Sequence, residues 1–423
     1  MSHRRMQTSI LIAGAGPAGM AAACAASESG ARVTLIDLSP TAGGQIWRGA
    51  KPSGKLSKQW FERFAKAAPE RIQSARIVSA EPEARKLLAE LPGNESIAIT
   101  YEKLILATGA RELFLPFPGW TLPGVVGAGG LQALVKSGLD VRGKRVVLAG
   151  SGPLLLAVAD LLREREANVL LIAEQASSAT VNRFGLKLAS SPGKLAQAIG
   201  LRARLASISY LTGCWVASAQ GDGCLRRVQV QQDGRRWTVD CDYLGTGYGL
   251  VPNTELAEVL GCSRTCLGVT VDDLQRTSVE GVYCAGEAAG IGGVDKSLVE
   301  GVIAGYSATD NPGAAQALFV ERARTHKFAK LLNTTFALRA ELRSITTPET
   351  IVCRCEDVRL SEFDAREGWR DAKLQSRCGM GRCQGRVCGP AVEFLKGWKS
   401  SPAKPPIFPA RVGTLVADDE VES

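Results

Sequence analysis

An apolar run that ends abruptly in a glycine-spaced turn occurs twice in this chain, and nothing else limits its fold as strongly. Residues 8–13 read as a buried parallel strand, and Gly14-Ala-Gly16-Pro-Ala-Gly19 follows at once. The alanine-rich stretch 18–29 predicts a helix closed by Gly30, and a second strand over 32–36 ends at Asp37. Strand, glycine turn, helix, strand, acid is the order a dinucleotide-binding fold requires. Gly14 makes the tight turn, Gly16 admits backbone amides to a pyrophosphate, and Gly19 lets helix and sheet approach. The helix N-terminus favours phosphate charge, and Asp37 is placed to accept from a ribose hydroxyl.

The second copy begins at Lys144 and turns through Gly150-Ser-Gly152-Pro-Leu-Leu155. Its third glycine is replaced by Leu155, whose branched side chain is expected to push helix from strand and to alter or empty the pocket. Glu174, after a strand over 168–173, can serve a ribose hydroxyl. No arginine cluster follows to hold a 2′-phosphate, so a bound nicotinamide nucleotide would be NAD rather than NADP. A retained domain that turns over no cofactor is the other reading, and the sequence leaves both open. Two α/β nucleotide folds, the second inserted in the first, are therefore predicted.

Five of the twelve cysteines fall close together near the C-terminus, as Cys353-Arg-Cys355 and Cys378-Gly-Met-Gly-Arg-Cys383-Gln-Gly-Arg-Val-Cys388. Thiolates among glycines suit a 2Fe–2S centre, because backbone N–H groups left free by Gly379, Gly381, Gly385 and Gly389 can point at sulfides. Zinc is the alternative metal, although its ribbons present two CxxC knuckles and this chain has no CxxC. Five candidates compete for four positions. The remaining seven cysteines have no regular spacing and read as reduced, mostly buried thiols of a cytoplasmic protein.

Other chemistry is excluded by composition. A net charge of +9 is spread along the chain without a nucleic-acid module, so a basic solvated surface is the better reading. No uninterrupted apolar stretch is long enough to cross a membrane. Only two histidines exist, His3 and His326, which argues against a histidine base. Segment 41–48 has no cysteine pair for thiol chemistry. Glu287 and Lys296 are the groups available for proton transfer, each equally well read as structural.

Three segments carry a resemblance. Lys103-Leu-Ile-Leu-Ala-Thr108-Gly109 and Gly281-Val-Tyr-Cys-Ala-Gly286-Glu287, with Gly290, Gly292 and Gly293, resemble the second and third FAD-contacting motifs of flavoproteins with two nucleotide domains. The resemblance implies FAD contacts at Thr108, Gly109, Gly286, Glu287 and Gly293, added to Gly14, Gly16, Gly19, Asp37 and Gln45. The cysteine segment resembles the bacterioferritin-associated-ferredoxin-like domain, which implies Cys353, Cys355, Cys383 and Cys388 as cluster ligands and Cys378 as a spare.

Longer motifs narrow this further. Gly43-Gly44-Gln45-Ile-Trp-Arg48, Leu115-Pro-Phe-Pro-Gly-Trp-Thr-Leu-Pro-Gly124, Gly247-Tyr-Gly-Leu-Val-Pro-Asn-Thr254 and Thr350-Ile-Val-Cys-Arg-Cys-Glu-Asp357 are similar to the α-type subunits of heteromeric amine and imino-acid dehydrogenases. That group includes the α-type subunits of opine oxidase, of hydrogen cyanide synthase, and of proline and D-hydroxyproline dehydrogenases. It implies a hetero-oligomer with a D-amino-acid-oxidase-like β subunit, sometimes a small ferredoxin-like γ subunit, and no transmembrane segment. The implied activity is electron transfer in oxidation of a C–N bond. The rival is a stand-alone NADH-dependent FAD oxidoreductase reducing a ferredoxin-like or dye acceptor.

The expected organisation is a split FAD domain over 1–110 and 250–312, the inserted nucleotide domain over 111–249, a helical linker over 313–347, a cluster domain over 348–398 and a tail over 399–423 with a disordered acidic end.

Overall fold

The computed structural model describes residues 2–48, 54–189 and 191–419. The chain forms two compact units. The first comprises Met1–Arg111, Pro252–Lys330 and Pro402–Ser423, and the second Glu112–Val251 and Leu331–Ser401.

In the first unit the strand Ser2–Ala13, polar and largely exposed over its first half and buried over the apolar run at its end, lies centrally, parallel to Val33–Ile36 on one side and to Glu95–Leu106 on the other. Val282–Cys284 pairs in parallel with the far end of Glu95–Leu106. The register brings four strand ends level, since Ala13 pairs with both Ile36 and Leu106, and Leu106 with Cys284. Gly14, Asp37, Ala107 and Ala285 therefore leave the sheet at one carboxyl edge, where an open α/β sheet binds ligands. Helix Pro17–Glu28 is buried from Ala18 to Ala26 and packs on helix Val294–Ala308. Contact is close because Gly301 and Gly305 lack side chains. A Cβ at either would lie 2.2 Å from Ala18 O or 2.5 Å from Ala22 O.

The second unit repeats the device with five parallel strands in the order Ser209–Thr212, Asn168–Glu174, Arg145–Gly150, Tyr243–Gly247 and Val125–Gly127. Gly150 pairs with both Glu174 and Gly247, so the second glycine turn also leaves a carboxyl edge. An antiparallel sheet of Cys214–Gln220, Arg227–Gln232 and Arg235–Asp240 packs its Val216, Val228 and Val230 against Val147, Ala149 and Leu171.

Three segments depart from the expected organisation. Residues 348–398 join the second unit instead of standing alone, held by Trp120 Nε1 donating to Ile351 O (2.6 Å) and Thr346 Oγ1 to Pro116 O (2.6 Å). The helix read as part of a linker, Phe319–Thr335, spans the border between units at Lys330.

The stretch read as a tail packs on the first unit. Ile407 is buried and its N–H donates to Val78 O (2.7 Å), while Arg411 donates to Glu90 and to Glu95 O. An unfilled carbonyl on the strand Arg76–Glu81 and a carboxylate beside it supply what an apolar and a basic residue need. The acidic end starts in helix Val412–Asp419, and residues 420–423 lie outside the described residues. No helix among the described residues is long and apolar enough to cross a membrane.

Candidate functional sites

At the first carboxyl edge the glycine turn is shaped as its spacing requires. Gly14 has φ +115°, and a Cβ there would lie 2.2 Å from Ala107 O; one at Gly19 would lie 1.8 Å from Gly14 O. Gly16 is different. Its φ of −72° is ordinary, and the nearest atom to an added Cβ is Gly44 Cα at 3.9 Å. The empty volume over Gly16, with more beside Gly109 and Gly293, is the cradle an extended dinucleotide needs, and the residues fit FAD.

Asp37 follows the second strand and accepts from Ala15 N–H through one oxygen and from Ser39 N–H through the other (2.6 Å). It is half-exposed, and each oxygen keeps a lone pair for a ribose hydroxyl. The loop 43–47 lies against the turn, with Gly43 N–H donating to Ala15 O (2.8 Å), and Gln45 stands exposed on it.

The Thr108–Gly109 turn is held by a residue the sequence did not single out. Asn253 accepts from Thr108 Oγ1 through its own carbonyl (2.7 Å), donates its side-chain amide to Thr108 O (2.9 Å) and its N–H to Gly109 O (2.9 Å).

Gly286 is gripped from both sides. Its N–H donates to Glu300 (2.9 Å), and its carbonyl accepts from Lys296 Nζ (3.2 Å), which also donates to Gly290 O (2.9 Å) and Glu300 (2.7 Å). His326 Nε2 meets the other Glu300 oxygen at 2.7 Å. All three ammonium hydrogens of Lys296 are spent, so it is a clasp and not a base. Burial pushes the Glu287 carboxyl up, opposed by Lys296 and by the Gly293 N–H.

The second carboxyl edge is closed. Gly150 and Gly152 have positive φ as the motif asks, but the space over Gly152 holds Phe336. A Cβ at Gly152 would lie 3.5 Å from the Phe336 ring. Ser151 Oγ donates to Phe336 O (2.9 Å), and Gln175 donates to Ala337 O (3.1 Å) and accepts from Arg339 N–H (3.2 Å). Glu174 accepts from Gly152 N–H (2.7 Å) and Ala176 N–H (2.8 Å) much as Asp37 does from its own turn, but it is wholly buried, and that burial leaves a ribose no approach to it. Burial raises its pKa to about 7. Leu155 does not splay helix from strand. It is fully buried with Val146, Leu148 and Val158, its methyl seated over the bare Cα of Gly247. These residues do not fit a nicotinamide dinucleotide.

The five thiols come together in two groups. Cys353, Cys378 and Cys388 are buried with all sulfurs within 4.8 Å of one another, and Cys355 and Cys383 lie with sulfurs 3.7 Å apart nearer the surface. Hydrogen bonds from Cys378 and then Cys388 hold the Cys353 thiol well below its usual range, and both donors are raised in consequence. The thiol-only donor set fits an iron–sulfur centre, and the expected ligands are all present, but Cys378 is inside the group and not at its edge. By contrast burial raises the pKa of Cys24, Cys214, Cys241, Cys262 and Cys284, as inert structural thiols require.

Two nucleotide folds of this topology, one with an intact cradle, define a FAD-dependent oxidoreductase. The chain belongs to the pyridine nucleotide-disulphide oxidoreductase family, whose pattern matches residues 8–309. It is 31% identical to the HcnB subunit of hydrogen cyanide synthase from Pseudomonas protegens, over 90% of each chain. It is 30% identical to the A-type subunit of opine oxidase from Rhizobium meliloti, over 96% of this chain and 84% of that one. Among solved structures, L-proline dehydrogenase from P. horikoshii superposes over 98% of this chain and 80% of its own with a TM-score of 0.67 at 20% identity. T. acidophilum thioredoxin reductase matches over 72% and 98% with a TM-score of 0.56 at 21% identity. The solved structures establish the fold alone.

Proposed function

We propose that this chain is the FAD- and 2Fe–2S-containing electron-transfer subunit of a heteromeric dehydrogenase or oxidase acting on the C–N bond of an amino acid, imino acid or opine. The observation that carries it is Phe336 over Gly152, because a flavoprotein whose nicotinamide site is filled by its own chain must receive electrons from elsewhere. The relatives named as subunits of opine oxidase and hydrogen cyanide synthase supply the class of source, a partner subunit that oxidises substrate. A D-amino-acid-oxidase-like β subunit fits that role, and a small ferredoxin-like γ subunit is a further member.

Gly14, Gly16 and Gly19 shape the flavin's pyrophosphate seat, Asp37 takes a ribose hydroxyl, and Thr108, Gly109, Gly286, Glu287 and Gly293 line the rest, with Gln45 on the loop above. Four of the five clustered thiols hold the metal centre. A bound flavin exchanges electrons in pairs or singly and a two-iron cluster singly, so together they suit passing a two-electron oxidation to a one-electron acceptor. Glu300 and Lys296 fix the turn at Gly286, and Asn253 the turn at Thr108, so the cradle is preorganised.

Anaerobic stopped-flow mixing of the reconstituted chain with NADH tests the reading. The flavin is expected to stay oxidised with NADH alone and to bleach when the co-expressed partner and its substrate are added. Rapid bleaching by NADH would overturn the relay in favour of a stand-alone NADH-dependent reductase.

A further inference from the structure

The geometry points to Cys378 as an interchangeable ligand of the thiol centre: the inner metal position draws on three sulfurs, Cys353, Cys378 and Cys388, any two of which suffice, whereas the outer position depends on Cys355 and Cys383 alone. This rests on reading the segment as an iron–sulfur site.

Two ligands of one tetrahedral ion at a metal–sulfur distance near 2.3 Å have sulfurs about 3.8 Å apart. The Cys355–Cys383 spacing of 3.7 Å is already that of a same-metal pair. Four ligands are needed, so two more must come from the buried trio, which offers one thiol in excess.

The excess thiol is built in. Cys378 is 0% exposed and follows Arg377, whose left-handed φ of 63° turns the chain after helix Trp369–Ser376. The following loop folds down on Trp369. A Cβ at Gly379 would lie 2.8 Å from the indole and one at Gly385 3.2 Å from it, so only glycine lets the loop close and carry Cys378 inward. Across the loop a Cβ at Gly381 would lie 2.3 Å from Cys355 Cβ, which presses the outer pair together. Cys353 ends the strand Ile351–Cys353, and Cys388 opens helix Cys388–Lys396, so the three inner sulfurs arrive on three separate supports.

Exchange would conserve charge and need no oxidant: with a metal centre bound, a Cys378 thiol entering as ligand would give up the proton that a departing Cys388 thiolate takes up, so the number of thiolates offered to the metal would not change.

The test compares full-length Cys378→Ser, Cys388→Ser, the double variant Cys378→Ser/Cys388→Ser, and Cys355→Ser. Iron, zinc and acid-labile sulfide per chain are read with the electron paramagnetic resonance spectrum after dithionite, and flavin content reports folding of the first unit. The single inner variants are expected to keep at least half of the cluster, with altered g-values in Cys388→Ser. The double variant and Cys355→Ser should each retain less than about a tenth. A Cys388→Ser protein as empty as the double variant would overturn the inference. Stoichiometric zinc without sulfide in the unsubstituted protein would sink the electron-transfer reading instead, and the same variants would then judge ligand exchange by zinc content. A protein with no metal after reconstitution overturns both.

Discussion

Glu174 accepts the amide hydrogen of Gly152 at 2.7 Å, so the acid of the second nucleotide fold is bound to the very turn whose ligand it would otherwise help to hold. Asp37 does the same to Ala15 in the first fold, yet with a different consequence. Asp37 stays half-exposed, and the volume over Gly16 is empty. Glu174 is sealed, and Phe336 lies over Gly152. The same inherited geometry serves as a ligand seat in one copy and as internal packing in the other.

The burial of Glu174 carries a pH dependence. Its folded pKa is raised from 4.5 to about 7 by desolvation, so the folded state holds its proton more tightly than the unfolded chain. That contribution is fully present below pH 4.5 and is lost as pH rises through 7, a change of up to about 3 kcal/mol. Denaturant unfolding of the wild type and Glu174→Gln between pH 4.5 and 8 should show the wild type losing stability relative to the variant as pH rises. Parallel curves would remove the buried proton from the account.

Gly16→Ala and Gly16→Val separate flavin binding from folding. A Cβ at Gly16 meets nothing closer than 3.9 Å and φ is ordinary, so the protein should fold with an unchanged unfolding midpoint when both forms are compared without flavin. The side chain projects into the pyrophosphate's place, and flavin content should fall in the order Gly, Ala, Val to less than about a tenth. Gly19→Ala should instead fail to fold, since its Cβ would lie 1.8 Å from Gly14 O. Full flavin occupancy in Gly16→Val would refute the assignment of this site.

The glycine turns were legible because their spacing is a direct consequence of backbone geometry: positive φ at Gly14 and Gly150 and close approach at Gly19 permit no other residue. Both acids stand at the strand ends that the spacing predicts, but whether an acid faces a ligand or its own turn depends on what packs outside it. Phe336 reaches Gly152 from far along the chain, a long-range contact with no local pattern. Glu300 and His326 meet from two helices 26 residues apart, and Asn253 locks Thr108 from 145 residues away. The cysteines announced a centre by their density, while which sulfurs converge was decided by the loop folding on Trp369. The packing at Ala403, Ile407, Ala410 and Leu415 was hidden because a proline-rich stretch after the last periodic helix reads as a tail.

Leu155→Gly tests whether the missing third glycine is what closes the second site. Leu155 is fully buried in the core, so deleting its side chain should cost about 3–5 kcal/mol for the cavity and roughly 1 more for glycine in a helix. Nucleotide binding should not appear, because Phe336 and Glu174 still occupy the turn. Titration calorimetry with NADH is expected to give no saturable heat for either the wild type or Leu155→Gly. Saturable binding by the wild type would mean the Phe336 segment moves aside.

Glu300→Gln addresses the clasp at Gly286. The carboxylate is fully buried and joins Lys296 Nζ, Gly286 N–H and His326, so neutralising it strands a buried ammonium and weakens the turn that carries Glu287. Breaking one side of a buried ion pair costs about 3–5 kcal/mol, whereas replacing both partners by apolar groups of similar volume is far milder. Glu300→Gln should therefore lower both the unfolding free energy and flavin affinity, and Glu300→Leu/Lys296→Met should recover most of the stability. Because Lys296 also holds Gly286 O and Gly290 O, the double variant should not recover flavin affinity, and that split between stability and binding is the measurement that identifies the clasp as a positioning device. Equal recovery of both would make the ion pair structural only.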